Sequence, residues 1–193
     1  VGPTSPATAP YRVYVPQTLD PEVDEISLNA FVTYTGPNTA PADITVSLGV
    51  DAGAVTTYNT KQSSNYFQLP ATAYEMPTSV VIKKGERKAN VPIKLKVAAF
   101  DQTKENGLAL KITGVSNGTG VSGNFGTVIY SLPVKSVWEG TYTYTIHNDY
   151  GTIDANIGGT FSEEVTLSTI GPNKLYLQYL WRTYSGETHY QFN

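Results

Sequence analysis

Ala89-Asn-Val-Pro-Ile-Lys-Leu-Lys-Val97 is the stretch that decides the fold. Val91, Ile93, Leu95 and Val97 alternate with Pro92, Lys94 and Lys96, the two-residue period of a strand with one dry face and one solvated face. Pro92 has no N–H to give to a ladder, so the strand is expected at a sheet edge or a bulge. The same period runs outward in both directions. Ile26, Leu28, Ala30 and Val32 alternate with Ser27, Asn29 and Thr33, with Phe31 as the exception, before Gly36-Pro37-Asn38 breaks the run. Ile44, Val46, Leu48 and Val50 repeat it, as do Val80 to Ile82, Leu108 to Ile112 and Val128 to Leu132.

One helix interrupts the pattern. Asp51 can cap it by accepting from the free N–H groups of the first turn, and Val55 and Tyr58 lie on one side, which predicts about two turns ending before Asn59. Tyr66 to Pro70 and Tyr74 to Pro77 read as extended pieces at edges or crossovers, because each ends in proline. Seven or so short strands separated by turn signals predict an all-β fold. Its N-terminal part, residues 11–135 after a flexible leader at 1–10, is expected to be a Greek-key, immunoglobulin-like β-sandwich.

From Trp138 the composition shifts. Eleven of the 22 aromatic residues and both histidines lie between Trp138 and Asn193. Trp138, Tyr142, Tyr144 and Ile146 share one face of a strand, and Glu139, Thr141, Thr143, Thr145 and His147 the other. Residues 138–193 are therefore expected to form a small antiparallel β-meander or partial barrel. A meander of this size buries too little surface alone. It is expected either to be incomplete at Asn193 or to dock on the first domain.

Composition narrows the function. Charged residues make up 15% of the chain, against about 25% in ordinary soluble domains. The formal net charge of −3 provides no basic patch for nucleic acid. No apolar run is long enough to span a bilayer. Cysteine is absent, which removes thiol nucleophiles and thiolate metal sites. No cofactor or metal is expected. A polar Pro/Thr/Ala leader is what would follow a lipid-bearing cysteine, so the expected membrane attachment is a lipid anchor outside this sequence.

Val46-Ser-Leu-Gly-Val-Asp51, Val55-Thr-Thr-Tyr58-Asn59, Tyr66-Phe-Gln-Leu69-Pro70, Tyr74 and Val81-Ile82-Lys83-Lys84-Gly85 occur in a telling order. Together they resemble the N-terminal domain of unknown function of Bacteroidetes surface lipoproteins, which also precedes some family 18 glycoside hydrolases. Tyr11-Arg-Val-Tyr14 and Tyr130-Ser-Leu132-Pro133-Val134 are similar to its first and last strands. The resemblance covers residues 11–135. It implies export to the outer membrane or cell surface, and carries no catalytic residue. Trp138-Glu-Gly140-Thr-Tyr142 resembles the first strand of small lipocalin-like or related β-modules.

Catalytic constellations are weak. Asp20, Glu22, Asp24 and Glu25 read as a solvated loop rather than a cation site, since Pro21 interrupts them and no glycine follows. Glu163 and Glu164 are adjacent on a strand and point to opposite faces. His147 and His189 sit on separate strands with no serine elbow and no paired-histidine spacing. Asn117-Gly118-Thr119 reads as a turn. The aromatic signal is stronger, because sugar rings stack their C–H faces on flat side chains while amides and guanidinium groups read hydroxyls. From Lys174 to Tyr184 the odd residues Leu175, Leu177, Tyr179 and Trp181 read as core. The even residues Tyr176, Gln178, Arg182 and Tyr184 face outward and are the candidate ligand-binding set. The leading expectation is a non-catalytic accessory carbohydrate-binding protein whose partner is glycan. A spacer or module docking other surface proteins is the alternative, and a glycosidase ranks third.

Overall fold

The computed structural model describes residues 2–118, 120–148, 159–177 and 188–191. The chain divides into two compact units, Val1–Val134 and Lys135–Asn193. Strands dominate both.

In the first unit nine strands form two sheets. They are β1 (Arg12–Tyr14), β2 (Glu25–Thr33), β3 (Ile44–Val50), β4 (Tyr66–Gln68), β5 (Tyr74–Glu75), β6 (Ser79–Ile82), β7 (Lys88–Lys96), β8 (Glu105–Val115) and β9 (Thr127–Ser131). One sheet has the order β1-β9-β8-β3-β6, with β4 also pairing β8; the other is β2-β7-β5. The order is non-sequential, as crossing connections require, and the architecture is an all-β sandwich.

Alternation explains the packing. Leu28 and Ala30 of β2 and Val91, Ile93 and Leu95 of β7 turn inward against Leu108 and Leu110 of β8 and Leu132. Lys88, Asn90, Pro92 and Lys94 remain on the solvated face. The expectation of an edge strand or bulge at Pro92 is corrected. β7 is central in its sheet, but β5 pairs it only at Lys94 and Leu95, so Pro92 has a ladder partner on the β2 side alone, opposite Asn29. The two proline-ended pieces are β4 and β5. The first runs parallel to β8 and the second closes the edge of the smaller sheet.

The helix α1 (Ala52–Gln62) is longer than two turns and passes through Asn59. Its start follows the capping argument, with Ala54 N–H donating to Asp51 Oδ1 at 3.2 Å. Lys111 Nζ lies 3.0 Å from the other carboxylate oxygen, and that hydrogen bond holds the Asp51 carboxyl below its usual range. Asn59 looked like a stop signal because its amide competes with helical hydrogen bonds. Here the amide clamps the next strand instead. Its Oδ1 accepts from Tyr66 N–H at 3.0 Å and its Nδ2 donates to Tyr66 C=O at 2.8 Å. The helix ends at Ser63, in the left-handed region at φ 51°.

Ala54, Val55 and Tyr58 pack on Val13, Ala109 and Ile129, three residues aligned across β1, β9 and β8. A helix on the back of the larger sheet explains why β8 is buried on both faces from Asn106 to Leu110 rather than solvated on one.

Candidate functional site

The candidate residues belong to the second unit, a meander of β10 (Gly140–Asn148), β11 (Gly159–Gly171), β12 (Lys174–Leu177) and β13 (Thr188–Gln191). The strands pair antiparallel in that order. Strict alternation sorts its side chains onto two faces.

One face is largely apolar. Tyr142 and Tyr144 lie opposite Val165 and Glu163, and Leu167 lies opposite Leu177. Leu175 and Leu177 are buried. Glu163, half-buried on this face, accepts from Tyr144 Oη at 3.3 Å, while Glu164 is exposed on the other side, so the two carboxylates diverge as adjacent strand residues must.

The other face is lined by hydroxyls. Thr141 and Thr166 share a hydrogen bond at 3.1 Å, Thr145 and Ser162 one at 2.7 Å, and His147 Nδ1 and Thr160 Oγ1 one at 2.8 Å. Tyr176 belongs to this face. It is half-buried between the buried Leu175 and Leu177, and in backbone register it stands between Ser168 of β11 and His189 of β13. At residues 175–177 the strand alternates, with Leu175 and Leu177 buried and Tyr176 half-buried on the opposite face. Gln178, Arg182 and Tyr184, together with Tyr179 and Trp181, lie outside the described residues, as does Thr119 of the Asn117-Gly118-Thr119 turn.

The opening of the second unit differs from expectation. Trp138 precedes β10 instead of sharing its face with Tyr142, and is 57% exposed. Its carbonyl accepts from Tyr142 Oη at 3.0 Å. Glu139 holds the segment in place by accepting from Thr169 N–H at 2.9 Å, which is the main reason its carboxyl is held below the usual range, with Lys135 adding to the effect.

The remaining polar candidates have structural work. Asp20 Oδ1 accepts from Glu22 N–H at 3.0 Å, an Asx turn ahead of β2. Asn117 sits at φ 62° and donates from Nδ2 to Asp43 C=O at 2.8 Å. Among the described residues, no group of three His, Asp or Glu side chains could hold a metal ion. No helix among them is long and apolar enough to cross a membrane.

Sequence reasoning did not find a cleft of about 1020 Å³ in the first unit, lined by Tyr14, Ala30, Tyr34, Phe125 and Tyr130. Strand alternation describes one element at a time, whereas this cleft is made by strands of both sheets, β2 and β7 on one side and β3, β8 and β9 on the other, meeting the loop before β9.

These features define an all-β protein in which a sandwich is followed by an antiparallel meander. A family model described as a "-like, N-terminal domain" matches residues 8–119, more than half of the chain. The chain belongs to that family, the N-terminal domain of unknown function that its signatures between Val46 and Gly85 resemble. Among curated proteins none matches it.

Solved structures share the fold. A Bacteroides ovatus protein of unknown function superposes with a TM-score of 0.60 at 15% identity, over 92% of this chain and 60% of its own. A proposed carbohydrate-binding protein from Bacteroides ovatus ATCC 8483 gives 0.51 at 17%, over 88% and 61%. An auxiliary nutrient-binding protein from Bacteroides thetaiotaomicron VPI-5482 gives 0.52 at 15%, over 79% and 52%. The chain therefore spans less than two thirds of the length of each. Identities this low speak for the fold alone.

Proposed function

We propose that this chain is a non-catalytic, accessory carbohydrate-binding part of a cell-surface protein in a glycan-utilisation system. The sandwich (residues 11–135) serves as spacer and the aromatic module (residues 138–193) takes the glycan. Export to the outer membrane, with a lipid anchor as the attachment, belongs to the same proposal.

The observation that carries it is the position of Tyr176 on a sheet face of threonine and serine hydroxyls. A flat ring beside fixed hydroxyls offers a sugar both a stacking surface and hydrogen-bond partners. The names of two structural neighbours, one a proposed carbohydrate-binding protein and one a nutrient-binding protein, support the same reading. In it Tyr176 and Tyr184 stack, and Gln178 and Arg182 read hydroxyls.

A glycan array tests it. Wild type binds a subset of oligosaccharides, and the Tyr176→Ala, Tyr184→Ala double variant loses affinity for them by about tenfold or more, as expected when two rings worth about 1 kcal/mol each are removed. Unchanged binding in the variant removes this surface. No glycan binding by wild type favours the alternative, protein docking. For that reading the supporting observation is β2, a nine-residue strand with a ladder on one side only and neither proline nor lysine along its length to blunt the free edge.

A further inference from the structure

Phe31 has no packing role. The interior side of β2 is supplied by Leu28 and Ala30, with Val32 packed against the core, and Phe31 points to the opposite, solvated face, 55% exposed. What surrounds it is specific. Asn90 stands directly across the ladder from it, and Asn90 Nδ2 donates to Asn29 Oδ1 at 3.0 Å. Lys88 Nζ lies over the ring, 5.1 Å from its centroid. An exposed ring thus adjoins a locked pair of amides and a cation.

The surroundings decide what kind of ligand fits. A protein partner seated on this face, as distinct from the free edge of β2, would call for a contiguous apolar patch. Here the exposed neighbours on the same face are Asn29, Thr33, Lys88 and Asn90, all polar, with Pro92 as the single apolar one, too little to make such a patch. A single flat ring framed by amides suits one sugar unit, stacked through its C–H face and read through its hydroxyls. The charge selects further. The chain as a whole is acidic, with a net charge of −3. The carboxylates of this sheet face, Glu25 and Glu75, gather at the other end around Lys96. Six residues of extended strand separate Phe31 from Glu25, about 20 Å. Lys88 therefore presents positive charge beside the ring without a carboxylate opposite it on β2.

We propose that the outer face of the β2-β7-β5 sheet, centred on Phe31 with Asn29, Asn90 and Lys88, binds an acidic sugar unit such as a hexuronate. The ring takes its apolar face, the amide pair its hydroxyls and the ammonium its carboxylate. The site is separate from the Tyr176 face and does not depend on it.

The test is calorimetric titration of the whole chain with tetragalacturonate and, in parallel, with maltotetraose, a neutral sugar of equal length. Wild type binds tetragalacturonate more tightly than maltotetraose, and the affinity falls as salt is added. Phe31→Ala and Lys88→Gln, both exposed substitutions whose folding is checked by circular dichroism, each weaken binding about tenfold. Lys88→Gln also flattens the salt dependence, and Tyr176→Ala changes nothing. Absence of binding to tetragalacturonate overturns the proposal, as does equal affinity for the two sugars or full affinity in Phe31→Ala. Loss in Tyr176→Ala alone overturns it while leaving the glycan role of the second unit standing.

Discussion

Leu95→Ala is expected to lower the stability of the sandwich by about 3–4 kcal/mol, while Lys94→Ala, one residue away, changes it by about 0.5 kcal/mol or less. The contrast follows from direction rather than from position. Leu95 is fully buried, sits opposite Ile26 across the ladder and belongs to the core shared by both sheets. Truncating it removes three carbons' worth of transfer energy and leaves a cavity that two hydrogen-bonded sheets cannot close. Lys94 points to water, and its ladder neighbours Ser27 and Glu75 are exposed too. Urea unfolding of the two variants measures the difference. Comparable losses would mean that β7 does not divide a dry side from a wet one.

The second large effect belongs to the meander. Leu175→Ala is expected to cost about 3 kcal/mol and to raise amide hydrogen exchange throughout β11, β12 and β13. Leu175 is fully buried, beside Thr169 on β11 and Tyr190 on β13 in register. A four-stranded sheet has few buried side chains to share the loss, so removing one opens the strands that flank it. Exchange unchanged from wild type would show that the apolar face contributes little to the order of this unit.

What could be read in the sequence was what is local. Ile26 to Thr33, Ile44 to Ser47 and Ala89 to Val97 announce their two faces because burial on one side alone imposes a two-residue period, and the same logic put Tyr176 on the face opposite Leu175 and Leu177; it lapses at Val50, expected inward but exposed beyond a register shift at Ser47 and Leu48. What could not be read was pairing at a distance. Nothing near Arg12–Tyr14 says that this strand runs parallel to Val128–Tyr130, or that Ala109 is covered by Tyr58 and Val55. The helix ran past Asn59 because the amide found its partners on Tyr66, seven residues later, a contact that no propensity encodes. Trp138 was assigned to the face of Tyr142 by counting in twos, but the strand begins at Gly140 and the count does not extend through the preceding turn. Phe31 is the instructive failure of the pattern: an apolar residue on the wet face, next to an amide pair and a lysine.

The account rests on side chains taking alternate sides of each strand, and the absence of cysteine allows this to be measured directly. Single cysteines placed at Lys88, Asn90, Val91, Ile93, Lys94 and Leu95 can each be exposed to a maleimide in the native protein. The account predicts fast labelling at Lys88→Cys, Asn90→Cys and Lys94→Cys, and protection at Val91→Cys, Ile93→Cys and Leu95→Cys until denaturant is added. Labelling that is uniform along the stretch, or that recurs every three or four residues, would contradict it.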